Sequence, residues 1–323
     1  MPSRHLYHHH YLKTLPEADL AHLAERCRAW GMHPAEFARR ISHWLENFDN
    51  EADWPLALKL INALEYYSEA GFHQLLAERH KAVTRYLLTK GLSPERIWFA
   101  VPDDLADSAT RHAHPLSKVW HLPNDRFVSF AQLKQMSGLG AQDTLILFND
   151  TYGSGKQFMR EVWPDVAGMV AQLGAVLIVG AAIAAEALAL FKREAVGAQV
   201  VPNYAVLTVK HLPGFTSAEV TRLNELGQMV YPKHALGFGG CGLLLAYHFQ
   251  CPNNSLPLIW ADGVNNAVAG KHTFPWTALF PYLGKTRALP ALVPAPDPAV
   301  TPVPVPTPAP VLTTTLASVP FSL

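Results

Sequence analysis

Cysteine is scarce in this chain: 323 residues carry three, Cys27, Cys241 and Cys251. Three is too few for a disulfide framework, and no Cys-x-x-Cys spacing offers a zinc site. Buried free thiols in a reducing, cytoplasmic setting are the expectation. An excess of charge is lacking too. Lys plus Arg and Asp plus Glu each total 26, so the formal net charge is zero. That removes any general electrostatic pull toward nucleic acid or a membrane surface. With no zinc or helix-turn-helix spacing either, direct nucleic-acid binding is not expected. No apolar run is long enough to cross a bilayer, since the longest, Ala175 to Leu190, is interrupted by Gly180 and Glu186. The start, with Arg4, His5 and His8-His9-His10, reads as a flexible polar segment and not as a secretory leader. Its histidines offer an adventitious metal contact at most.

Two familiar phosphate motifs are also missing. A Walker A loop needs Gly at 150 and Ser or Thr at 157, and the chain has Asp150 and Gln157. A G-x-G-x-x-G fingerprint fails at Phe158. What stands there instead is Leu145-Ile146-Leu147-Phe148-Asn149-Asp150-Thr151-Tyr152-Gly153-Ser154-Gly155-Lys156-Gln157. Four apolar residues predict a buried strand over 144–148. An acid follows its end, then a glycine-rich turn, then a helix start. Glycine lets the backbone approach an anion closely, and the first helical N–H groups point at it. A carboxylate at a strand end holds ribose hydroxyls or a phosphate-bound magnesium ion.

Apolar residues make up 49% of the chain, enough for a sizeable core. Residues 1–95 are expected to be a helical region. Leu20, Leu23, Cys27 and Trp30 keep helical spacing after Pro16, and Phe37, Ile41, Trp44, Leu45 and Phe48 do so after Pro34. A third helix runs through Leu56, Leu60, Leu64 and Tyr67, and a fourth ends at Gly91. These stripes read as a helix–helix core, and Trp44 to Tyr67 is the place for a partner-binding face. From 96 to 285 the pattern alternates. Ile97–Val101 is a strand, and Pro102–His121 is a polar segment. That segment is either a solvated loop or one facing an anion through Arg111 and Lys118. A helix near 155–172 should split at Pro164. Ala175–Val179 is a strand, Ala182–Glu194 a helix, and a further strand runs from Val200 to Val209. A helix over 217–231, the glycine-rich stretch 237–242 and a short edge strand at Leu258–Trp260 complete the domain. This β-α-β-α-β order implies a Rossmann-like parallel sheet with ligands at the strands' carboxyl ends. Residues 286–323, dense in proline, are expected to be a disordered tail.

The 145–157 run resembles the phosphoribosyl-pyrophosphate loop of type I phosphoribosyltransferases. Asp150 matches the second acidic position, and Ser154 and Gly155 match the turn that wraps the ribose 5-phosphate. Asn149 replaces the first acid, and Gly153 stands where the catalytic carboxylate usually is. Three segments taken together resemble a phosphoribosyltransferase-like family linked to bacterial conflict and anti-phage defence loci, some of the retron kind. They are the helical stretch with Trp44-Leu45-Glu46-Asn47-Phe48 and Leu58-Lys59-Leu60-Ile61, the 149–157 loop, and Gly237-Phe238-Gly239 with Pro252-Asn253-Asn254 through Trp260. The resemblance covers roughly residues 40–282. It implies a ligand such as phosphoribosyl pyrophosphate or a nucleotide, with magnesium brought by the phosphates and met by Asp150. It makes Asp150 the catalytic candidate and gives the ribose phosphate to Asn149, Thr151, Gly153, Ser154, Gly155, Lys156 and Gln157. Arg111 or Lys118 would face pyrophosphate, and Phe238 or Trp260 would stack on a base. Two outcomes stay open: transfer or hydrolysis at the anomeric carbon, or a catalytically degenerate nucleotide sensor or scaffold bound to defence-complex proteins. Losing a positioned acid or base reduces rates by about a hundredfold to ten-thousandfold, which is the weight of Asn149 and Gly153.

Overall fold

In the computed structural model the described residues are 4–101, 108–202, 205–206, 208–262 and 276–280. The proline-rich tail lies outside them. The strands are β1 (Glu65–Tyr67), β2 (Ile97–Val101), β3 (Phe127–Ser129), β4 (Thr144–Tyr152), β5 (Ala175–Ile183), β6 (Ala198–Val201) and β7 (Leu245–Tyr247). Five of them form one all-parallel sheet in the order β3-β2-β4-β5-β6. Counted along the chain, that is the 2-1-3-4-5 order of doubly wound Rossmann-like sheets. The direction of winding reverses between β2 and β4, so the crevice at their carboxyl ends is where such sheets bind ligands. β1 and β7 pair in parallel as a separate two-stranded sheet.

Twelve α-helices surround the strands among the described residues. They are α1 (His10–Thr14), α2 (Glu17–Ala29), α3 (Pro34–Leu45), α4 (Trp54–Ala63), α5 (Glu69–Thr89), α6 (Ser108–Trp120), α7 (Phe130–Gln135), α8 (Lys156–Glu161), α9 (Trp163–Val166), α10 (Ala185–Glu194), α11 (Ser217–Val230) and α12 (Pro257–Trp260). Alternation along each strand sorts the main sheet's side chains to two faces. Phe99, Ile146, Phe148, Leu177 and Val179 pack with α5 and α6. Leu145, Leu147, Val176 and Ile178 pack with α7 to α10. A third core joins α1–α4, α11 and α12. Trp44 and Trp54 bury their rings there and give their indole N–H groups to the Leu258 and Phe48 carbonyls, at 2.6 and 3.0 Å. The aromatic stretch Trp44–Tyr67 is therefore largely core.

Several sequence expectations hold. β2 has the predicted bounds, the helix after the glycine turn breaks around Pro164, and all three cysteines are free and buried. Others are corrected. The 102–121 segment is not a loop from Ser108 onward, because Leu116 and Trp120 stand four apart on a buried helical face. Trp120 anchors that helix by donating its indole N–H to the Leu76 carbonyl. Residues 102–107 lie outside those described. Leu258–Trp260 is a helical turn, with Pro257 supplying the fixed φ of a first helical position. The third helix stops at Ala63, and Tyr67 belongs to β1. β6 ends at Val201, since Pro202 has no N–H to give a ladder. The histidine start is packed: His9 is buried, and both His9 and His10 set their rings edge-on to Trp54. No helix among the described residues is long and apolar enough to cross a membrane.

Ion pairs tie α11 to the N-terminal helices. Arg222 forks onto both Asp53 oxygens at 2.9 and 2.8 Å, and Lys59 reaches Glu219 at 2.6 and 2.8 Å. The Lys59 ammonium and the cap at Thr216 hold the Glu219 carboxyl down at about 2, against an ordinary 4.5. A carboxyl depressed by folding adds stability above its unfolded pKa and loses it as pH falls toward the folded one. Wild type should thus lose this increment between about 4.5 and about 2. In acid titrations followed by circular dichroism, Glu219→Gln should be less stable at neutral pH and show a flatter decline over that window. Parallel curves would sink the assignment.

Candidate functional site

The 145–157 run forms a longer strand than its apolar residues suggest. β4 continues to Tyr152, with Asn149 opposite Gly180, Thr151 opposite Ala182 and Tyr152 opposite Ile183 of β5. Asp150 is thus inside the strand and only 4% exposed. Its Oδ1 accepts the Thr151 N–H at 2.8 Å, and its Oδ2 accepts Gln250 Nε2 at 2.9 Å. Its backbone N–H donates to Asn149 Oδ1 at 2.9 Å. The buried Tyr247 hydroxyl donates to the Asp150 carbonyl at 2.9 Å. That uses its only proton, so the 3.0 Å contact with Thr151 Oγ1 has the threonine donating. Burial, joined by the Asp150 charge, pushes the Tyr247 phenol well above its ordinary range. Asp150 is the centre of a buried polar network linking β4 to β7.

The turn after β4 is built by glycine. Gly155 takes a left-handed φ of 71°, which an L-residue adopts only with strain. A Cβ there would fall 2.8 Å from the Phe191 ring. Gly153 faces Asn254 so closely that a Cβ would lie 2.2 Å from its Cγ. Asn254 is itself pinned, with Nδ2 donating to the Phe238 carbonyl at 3.0 Å. The departure from the transferase pattern at 153 therefore has a steric cause: the Asn254 amide fills the space a carboxylate side chain would enter. On the other side of the turn Gly239, φ 69°, lets the 237–242 loop press on Ser154, where a Cβ would meet Ser154 Cβ at 2.8 Å. Three segments far apart in sequence thus meet at the carboxyl end of β4.

Charge around this junction is mixed. Lys156 is exposed in the first turn of α8, and Lys210 donates to the Gly240 carbonyl at 2.7 Å. Glu186 sits in the first turn of α10, and the next residue, Ala187, has its Cα 3.2 Å from where a Gly155 Cβ would be. Glu186 Oε2 is buried and has no hydrogen-bond partner among the described residues. Burial and then the Glu186 charge push the Cys241 thiol up to about 11, with Lys210 and Lys156 opposing. Cys241 is accordingly a neutral thiol near pH 7 and no nucleophile.

The other sequence candidates scatter. Arg111 lies in the first turn of α6, at the end of that helix nearer the β2 carboxyl terminus. Lys118, exposed in the last turn, stands seven residues on, about 10 Å along the axis. Gln157 turns to Glu161 at 2.8 Å. Phe238 is half-buried and stacks on His234 at 3.9 Å. Trp260 is buried in the helical core, donates to the Ser255 carbonyl and packs on Tyr231. Reading the sequence missed Glu186, Lys210, Tyr247 and Gln250 as participants. None carries a local signal, since each comes to the site from a different element. Asn254 was marked only as part of Pro-Asn-Asn.

A family model described as PRTase-CE matches residues 41–281, well over half of the chain. The match spans β4, its turn, the 237–242 loop and Asn254. No curated protein and no solved structure matches the chain.

Proposed function

This chain belongs to the PRTase-CE family, a phosphoribosyltransferase-like family, and from that premise we propose that it binds a phosphorylated ribose. The ligand is phosphoribosyl pyrophosphate or a nucleotide, with its 5-phosphate at the 153–157 turn. The observation that carries the reading is the meeting of Gly153–Gly155 with Gly239 and Asn254 beside the winding reversal of the sheet. The glycines let these backbone segments close together at the end of β4. Lys156 and Lys210 supply the cations, and charge-assisted hydrogen bonds to phosphate are the stronger kind.

Ribose hydroxyls fall to Glu186, whose buried Oε2 lacks a protein donor among the described residues. Asp150, with both oxygens engaged, acts as a positioning residue. Chemistry at the anomeric carbon would draw on Glu186, because neither Asn149 nor Gly153 carries an acid. The described residues contain no group of three or more His, Cys, Asp or Glu able to hold a metal. Magnesium enters this proposal only as a companion of pyrophosphate oxygens, which is how the ion is usually met. The resemblance to defence-locus proteins extends the proposal to an anti-phage role. Asn149 and Gly153 favour a second reading within it, a nucleotide-sensing subunit without turnover.

Calorimetric titration with ribose 5-phosphate, inorganic phosphate and phosphoribosyl pyrophosphate tests this. Wild type should bind ribose 5-phosphate, and Lys156→Ala should weaken it about tenfold. Glu186→Gln should weaken ribose 5-phosphate by a similar factor while leaving inorganic phosphate unchanged. Magnesium should strengthen only the pyrophosphate-bearing ligand. No binding of any of the three to wild type would overturn the reading. Release of pyrophosphate or base by wild type, lost in Glu186→Gln, would sink the sensor reading.

A further inference from the structure

A cleft of about 220 Å³ opens between α5, α6 and the segment after β7, lined by Glu69, Phe72, His73, Pro115, His248, Phe249 and Gln250. We infer that this cleft takes the planar heteroaromatic base of the ligand; the assignment rests on the ribose-phosphate reading above. Its volume is smaller than the roughly 300–1,000 Å³ of sites for whole drug-sized molecules, and suits one ring system. Its walls are aromatic and fixed. Phe249 lies parallel to Tyr247, 5.1 Å between centroids and 8° between planes. Phe72 and His248 meet Phe249 edge-on, both at 4.9 Å. Rings so held present a pre-formed surface, which lowers the ordering cost of binding a flat ligand.

Polarity gives the cleft a sense of direction. Gln250 donates through Nε2 to Asp150, which fixes its amide and assigns Oε1 as the acceptor end. An acceptor beside aromatic rings matches a base bearing an exocyclic amine, as in adenine, guanine or cytosine. The exposed imidazoles of His73 and His248 border the same opening.

Position completes the argument. Gln250, which lines the cleft, is hydrogen-bonded to Asp150, three residues before Gly153 of the turn. The two aromatic residues marked in the sequence, Phe238 and Trp260, are instead stacked on His234 and buried in the helical core.

The test compares adenosine 5′-monophosphate, ribose 5-phosphate and adenosine on the full chain by titration calorimetry. Two variants are used: His73→Ala, an exposed position, and Phe249→Leu, which keeps apolar volume without the ring. Wild type should bind the monophosphate at least tenfold more tightly than ribose 5-phosphate, the scale of one base stacked on an aromatic residue. Phe249→Leu should erase that gain and His73→Ala should reduce it, while both keep ribose 5-phosphate affinity. Equal affinity of wild type for the monophosphate and ribose 5-phosphate would overturn the inference. Adenosine separates the two proposals. If ribose 5-phosphate fails to bind while adenosine binds and loses affinity in Phe249→Leu, the cleft assignment stands and the phosphate site falls.

Discussion

Gly153→Ala is expected to abolish ribose 5-phosphate binding and to lower the melting temperature by roughly 5 °C or more. The added methyl would sit 2.2 Å from Asn254 Cγ and Nδ2. Real side chains do not approach so closely, so something must move. The Asn254 amide has little room to yield, because Nδ2 is held by the Phe238 carbonyl and the Asn254 carbonyl accepts the Leu243 N–H at 3.2 Å. Overpacking of this kind costs about 1–3 kcal/mol, equivalent to several degrees in a chain of this size. Binding suffers more than stability, since the shifted Asn254 releases the 237–242 loop that closes on Ser154.

A double-mutant cycle makes the cause testable. Asn254→Ala alone loses the hydrogen bond to the Phe238 carbonyl and a long, weak one to Cys241 Sγ, together about 1 kcal/mol. In Gly153→Ala/Asn254→Ala the two methyl groups no longer collide. The double variant should be more stable than the sum of the single losses allows, by about 1 kcal/mol or more. Additive losses would mean that the steric reading of Gly153 is wrong.

Much of this arrangement was legible in the sequence. The all-apolar run 145–148 and the glycines after it announced β4 and the turn that follows, because burial on both faces leaves a continuous hydrophobic signature. Pro164 marked the helix break, since proline removes a donor whatever surrounds it. The rest was hidden for two physical reasons. Polar helices are hard to tell from loops: among the described side chains of α6 only Leu116 and Trp120 are deeply buried. Partnership across space has no local mark. Gln250 is one hundred residues from Asp150 and Asn254 one hundred and one from Gly153, yet those contacts decide what 150 and 153 can do. Asp150 looked like a ligand-facing acid at a strand end, because nothing nearby in sequence reveals the donors that meet its oxygens.

That contrast sets the second large effect. Asp150→Ala should destabilise the protein by about 3 kcal/mol and lose ligand binding with it. The Thr151 N–H, buried in β4, and Gln250 Nε2 would both lose their acceptor, and unmet buried donors cost about 1–3 kcal/mol each. Loss of binding in that variant would say little about contact with the ligand. Asp150→Asn separates the two roles. Its Oδ1 keeps the Thr151 N–H, and Gln250 can turn its amide so that Oε1 accepts from the new Nδ2. Stability should then stay within about 1 kcal/mol of wild type. If Asp150 positions Gln250 and the strand end, Asp150→Asn binds ribose 5-phosphate within about threefold of wild type. A folded Asp150→Asn protein with affinity reduced tenfold or more would show that the carboxylate itself meets the ligand. The ribose hydroxyls would then belong to β4 and not to Glu186 on α10. Because Glu186→Gln is expected to fail where Asp150→Asn succeeds, the pair of variants assigns the ribose to one strand end or the other.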